Sequence, residues 1–188
     1  MTIVYFVRHA EPNYMNHDDQ SRELTAKGIQ DRTLVTKFLS DKEITVAFSS
    51  PYKRAIDTIQ EFTDIQNLKI TTLHDLRERR IDSDWIPDFN AFSKKQWEDF
   101  KYKLSDGECL LEVQNRNISA LLSILRQYKD KNIVIGTHGT ALSTIINYYD
   151  STFGYSDFVR IKSLMPWIVR MSFDGEKCID IEQYDLFQ

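Results

Sequence analysis

A chain of 188 residues, 41% hydrophobic and 28% charged, fits one domain spanning 1–188 against the usual roughly 100–200 residues per domain. Its 24 Lys and Arg against 28 Asp and Glu leave a net charge of −4, which argues against a surface built for nucleic acid. Cys109 and Cys178 lack C-x-x-C spacing, no apolar run nears the roughly 20 residues of a membrane span, and the N-terminus lacks a signal-peptide pattern, so the chain reads as reduced, soluble and cytoplasmic, without membrane partner or structural zinc.

The run at 3–7 is continuously apolar and rich in β-branched and aromatic residues, as expected of a strand buried on both faces of a parallel sheet; it ends at Arg8-His9. Thr25 is placed to cap a helix carrying Ile29, Val35, Phe38 and Leu39 at helical spacing. A second strand is expected at 44–48. Ser50-Pro51 then reads as an N-cap followed by proline in the first turn of a helix, with Tyr52, Ala55, Ile56, Ile59 and Phe62 on its apolar face.

A third strand at 69–73 runs into the charged stretch 75–80. From 83 to 105 the aromatic residues Trp85, Phe89, Phe92, Trp97, Phe100 and Tyr102 interleave with Lys and Asp; this reads as a small cap-like insertion, a loop with a short helix near 93–102. A long amphipathic helix is expected over 112–128, with Arg116 at its polar border. A fourth strand at 132–136 leads through Thr137-His138-Gly139-Thr140 into another helix, and 168–173 and 178–184 flank Asp174-Gly175 as a hairpin. Alternating strands and helices imply a three-layer α/β/α sandwich with a mostly parallel mixed sheet.

Three of these strands end in a polar cluster: Arg8-His9, Ser49-Ser50 leading to Arg54, and His138-Gly139. Ligands of open α/β sheets bind beyond the carboxyl ends of parallel strands. Two arginines and two histidines converging there would make a positive pocket, and the guanidinium fork matches phosphate oxygens. A helix starting at His138-Gly139 would also favour an anion beside its N-terminus.

The blocks 7–12, 24–30, 49–55, 76–79, 107–109 and 134–139, taken in order, resemble the histidine phosphatase superfamily, with its phosphoglycerate-mutase-like fold. Any one block is weak, but six in order at compatible spacing are a specific pattern covering nearly all of the chain up to about Tyr149. The resemblance implies a phosphomonoesterase needing neither metal nor cofactor, in which His9 attacks phosphorus and forms a phosphohistidine. Arg8, Arg54 and His138 would hold the phosphoryl oxygens, and Glu78 would act as proton donor and then as base. It also makes Gly139 and Arg79 candidates for substrate contact. A small phosphorylated metabolite is the expected substrate, and a phosphoprotein is compatible with the same chemistry.

Two rivals accompany this reading: a cofactor-dependent phosphoglycerate mutase, and an idle module that only binds phosphorylated ligands. The short chain, and Met15 where mutases usually carry asparagine six positions after the nucleophile, favour a phosphatase; the complete set of catalytic positions disfavours an idle module. Plainer roles exist for several residues. Arg79 and Arg80 lie in a charge run, where solvated side chains are the rule. Glu108 and Arg116 suit a salt bridge or loop anchor, His17 and His74 have no partner at metal-ligand spacing, and the aromatic segment would either pack a subsidiary core or cover the pocket.

Overall fold

In β1 (Thr2–Arg8), Val4 and Phe6 pack into one apolar cluster while Tyr5 and Val7 pack into another, the period-two alternation of a strand covered on both faces. The computed structural model, which describes residues 1–188, repeats this pattern in β2 (Val46–Ser49) and β4 (Asn132–Thr137): Phe48, Ile133 and Ile135 face the first cluster, Ala47 and Val134 the second. With β3 (Ile70–Thr72), β5 (Trp167–Asp174) and β6 (Lys177–Asp185) they form one six-stranded sheet in the order β3-β2-β4-β1-β5-β6. The pairings from β3 through β1 are parallel, and β5 and β6 are antiparallel to their neighbours.

Helices complete the two outer layers. α1 (Ala26–Leu39) and α2 (Lys53–Ile65) bring Val35, Leu39, Ile59 and Phe62 to the second cluster. On the opposite face, α4 (Leu110–Gln127), α5 (Gly139–Tyr149) and α6 (Tyr155–Ile161) supply Leu121, Leu125, Leu142, Ile145, Phe158 and Ile161. α3 (Phe89–Glu98) adds Trp97 at the edge of that cluster. Each such fully buried side chain contributes roughly 1.5–3 kcal/mol. The three-layer mixed α/β sandwich expected from the sequence is the fold.

Local starts and stops differ from expectation in four places. Ser50 does not cap α2: Tyr52 occupies the N-cap and the helix begins at Lys53, while the Ser50 hydroxyl accepts the Tyr52 N–H ahead of the helix and lies against His138. The helix expected near 93–102 lies at Phe89–Glu98, where the Asp88 carboxylate accepts from the Ala91 N–H and fixes the start. α6 was not expected as a helix. Its signals were Phe158 and Ile161 at helical spacing and Asp157, whose carboxylate accepts from the Gly154 N–H. Thr25 does cap α1, accepting from the Gly28 N–H, and the hairpin turns through Gly175-Glu176, one residue beyond the Asp174-Gly175 signal.

Candidate active site

β2, β4 and β1 lie side by side and parallel, with Arg8 paired to Thr137 and Ser49 to Gly136. Their carboxyl ends therefore release His9, His138 and Ser50 at one level of the sheet. The His9 N–H donates to the Thr137 carbonyl at 3.1 Å and the Ser50 N–H to the Gly136 carbonyl at 2.9 Å, extending the ladder by one rung past each strand. A cavity of about 630 Å³ opens there, and Arg8, His9, Arg54, Glu78, Arg79 and Gly139 line it.

His9 is buried, and its Nδ1 lies 2.8 Å from the carbonyl of Ala10. A carbonyl only accepts, so Nδ1 carries the proton and Nε2 keeps its lone pair. The turn is braced from α2: Thr58 accepts from the Ala10 N–H at 2.9 Å and donates to the Arg54 carbonyl at 2.7 Å. Burial holds the His9 imidazole well below its ordinary pKa, and the positive charges of Arg54 and Arg8 add to this. The ring is neutral at pH 7, the form in which it is a nucleophile.

His138 stands edge-on to His9 with ring centroids 5.4 Å apart. Its Nε2 lies 2.7 Å from the Ser50 hydroxyl, and its buried Nδ1 has no partner within the chain. Burial, then Arg54 and the neighbouring His9, hold its pKa well below the usual value.

The two arginines are both buried, and each is partly used to build the site. Arg8 donates from Nη1 to the carbonyls of Ile161 at 2.6 Å and Leu164 at 3.1 Å, a cation at the carboxyl end of α6, while its Nε has no partner. Arg54 donates to the Asp19 carbonyl at 2.6 Å and to its carboxylate at 3.0 Å, and the same carboxylate oxygen meets Arg22 at 3.0 Å. Burial lowers the pKa of both guanidinium groups, but groups titrating above about 12 in water stay charged.

Glu78 accepts backbone N–H bonds from Thr140 and Ala141, each at 3.0 Å, and from Arg79 at 2.8 Å. The group beside the first turn of α5 is thus the protein's own Glu78 carboxyl, in place of the substrate anion anticipated there. Arg79 is 3% exposed, so the solvated role does not hold. Its guanidinium lies over the rings of Phe89 and Phe92 at 5.4 and 5.2 Å and donates to Gln96 at 2.8 Å, while Nε has no partner. Arg80 is exposed, as expected. Segment 85–89 and α3 wall the outer cavity with Trp85, Ile86, Pro87 and Phe89, so the aromatic stretch both packs and covers.

Ser50 stands where the second polar cluster was expected, Arg116 makes the salt bridge and loop anchor expected of it, and the 14–22 loop brings Asp19 and Arg22 to the cavity. Arg22, 7% exposed, sits over the rings of Tyr14 and Trp85 at the cavity wall. Asn13 and Asn16 serve the loop: both donate to the Glu23 carboxylate, and these bonds, Asn16 first, hold its pKa at about 2. No helix is long and apolar enough to cross a membrane.

The model of the histidine phosphatase superfamily (branch 1) matches residues 4–179. A Bacillus subtilis protein named as an uncharacterized phosphatase, PhoE, is 26% identical over 151 residues, covering 78% of this chain and 76% of that protein. Among solved structures, Bacillus stearothermophilus YhfR superposes with a TM-score of 0.77 at 23% identity, covering 95% of each chain. A phosphoserine phosphatase of Entamoeba histolytica, solved with 3-phosphoglyceric acid, superposes at 0.78 with 20% identity over 100% of both chains.

Proposed function

The chain belongs to the histidine phosphatase superfamily, and from that membership and the site geometry we propose that it hydrolyses a small phosphorylated metabolite through a phosphohistidine on His9. The observation that carries this reading is the His9 ring itself: neutral, fixed in the Nδ1–H tautomer by the Ala10 carbonyl, and lining one cavity with Arg8 and Arg54.

In the first half-reaction Nε2 of His9 attacks phosphorus in line, the P–O bond to the leaving group breaks, and protonated Glu78 delivers its proton to the departing oxygen. Charge on the phosphoryl oxygens is met by the free N–H groups of Arg8 and Arg54 and by His138. For that last contact His138 carries its proton on Nδ1, with the Ser50 hydroxyl donating to Nε2. In the second half-reaction the Glu78 carboxylate takes a proton from water, which attacks phosphorus, and the P–N bond breaks. His9 is regenerated as the neutral ring and Glu78 is again protonated, so the cycle closes on ester plus water giving alcohol plus phosphate. Guanidinium and imidazole donors supply the charge neutralisation, so the scheme uses no metal or cofactor. Gly139 lets the Arg8 fork lie against the start of α5, and Arg79 faces the leaving-group side.

The test is direct trapping. Incubation with a ³²P-labelled aryl phosphate and acid-free quenching should leave label on the wild-type protein, released by mild acid, and none on His9→Ala, with hydrolysis reduced on the order of 10⁴-fold or more. Undiminished turnover by the alanine variant would sink the mechanism.

A further inference from the structure

We infer that Arg116, held by Glu108, is a positioning residue for proton transfer by Glu78. The inference rests on the reading of Glu78 as the proton donor.

A guanidinium has five N–H donors in one plane, and Arg116 makes five hydrogen bonds. Nε and Nη2 grip the two oxygens of the Glu108 carboxylate at 2.8 and 2.9 Å, the bidentate arrangement. The remaining bonds go to main-chain carbonyls: Nη1 to Asp75 at 2.9 Å and Arg77 at 2.7 Å, and Nη2 to Glu78 itself at 3.1 Å. Arg116 is therefore fully spent within the protein. It has no donor to offer a substrate, and its reach is to the backbone that carries the Glu78 carboxyl.

Glu108 fastens the other side of the same segment. Its N–H donates to the Arg80 carbonyl at 2.8 Å and its carboxylate accepts the Arg80 N–H at 2.9 Å. Gly107 permits this approach, since a Cβ there would stand 2.0 Å from the Ile81 carbonyl oxygen. Glu78 thus lies between two anchored stretches, 75–77 and 80–81, while its carboxylate is set by Arg79, Thr140 and Ala141. A long helix, α4, carries the anchor, and long helices are stiffer supports than loops. None of the bonds of Arg116 or Glu108 goes to His9, Arg8 or Arg54, so release of the clamp is expected to act on the segment that carries Glu78 and Arg79.

That separation gives a readout that general loss of structure would not mimic. A proton donor matters for a poor leaving group and hardly at all for one that departs as a stable anion. kcat/KM, which reports the steps up to phosphoenzyme formation, is to be measured on phenyl phosphate and on 4-nitrophenyl phosphate. It is compared across wild type, Arg116→Lys, Glu108→Gln and Glu78→Gln. Lysine keeps the charge but has only three donors and no fork. Arg116→Lys and Glu108→Gln are expected to lower kcat/KM on phenyl phosphate on the order of 10-fold or more while changing the nitrophenyl ester less than about 3-fold, on a scale where general acid catalysis contributes 10²–10⁴. In the Glu78→Gln background neither should add a leaving-group effect.

Equal losses on both esters, or none, in the clamp variants while Glu78→Gln keeps its leaving-group dependence would overturn the positioning role and spare the Glu78 reading. A Glu78→Gln variant without leaving-group dependence would remove the premise and the inference with it. Should Arg116→Lys not fold, the same comparison on Glu108→Gln decides alone.

Discussion

The Ser50 hydroxyl stands 2.7 Å from Nε2 of His138, with both residues fully buried. Ser50 also accepts the Tyr52 N–H at 3.2 Å, so its one proton is free for the imidazole. A residue that sequence pattern assigns to helix capping is thereby made the partner of the buried histidine beside His9.

Ser50→Ala is expected to leave a buried imidazole nitrogen and the Tyr52 N–H without partners, at about 1–3 kcal/mol in stability. The same change should weaken inhibition by inorganic phosphate, because the His138 tautomer is no longer set. Urea unfolding and a phosphate inhibition constant check it; unchanged values for both would reject the assignment.

Stability should fall as the solution is acidified from neutrality. Burial and nearby arginines hold His9 and His138 well below their ordinary pKa in the folded chain, whereas unfolded histidines take up protons near pH 6.5. Between these limits the unfolded state binds more protons, so unfolding free energy decreases with falling pH by up to about 1.4 kcal/mol per unit for each histidine. The decline ends where the folded rings themselves protonate. Urea midpoints at pH 7.5, 6.5 and 5.5 should show the trend, and His9→Gln should flatten it.

Gly139 fits because its Cα rests against the Arg8 guanidinium, where an added Cβ would meet Cζ, Nε and Nη2 at 3.0 Å. Arg8 cannot yield freely, since the carbonyls of Ile161 and Leu164 hold Nη1. Gly139→Ala should therefore cost about 1–3 kcal/mol and weaken phosphate or vanadate binding roughly 10-fold, the equivalent of about 1.4 kcal/mol. Wild-type affinity in a folded Gly139→Ala protein would contradict the close approach.

Much of the architecture was legible from the order of residues. The apolar runs around Val4, Phe48 and Val134 had to be strands buried on both faces, because continuous β-branched and aromatic segments of that length have no other stable place. The strand ends that follow them carry Arg8, His9 and His138, so a site at those ends followed from sequence and the rule for parallel sheets. The start of α1 was equally plain, since a Thr25 cap acts within a few residues.

Tertiary structure decided what depends on partners distant in sequence. Arg79 looked solvated because its neighbours are charged, yet Phe89, Phe92 and Gln96 bury it. Asp19 became a partner of Arg54 across 35 positions, Ser50 of His138 across 88, and Arg116 of the Glu78 backbone across 38. Sequence by itself determined the strands, the helices α1, α2, α4 and α5, their order and the residue types at the strand ends, because propensity and periodicity are local. Which donor meets which acceptor required the packed chain, because a guanidinium or carboxylate finds its partner through space.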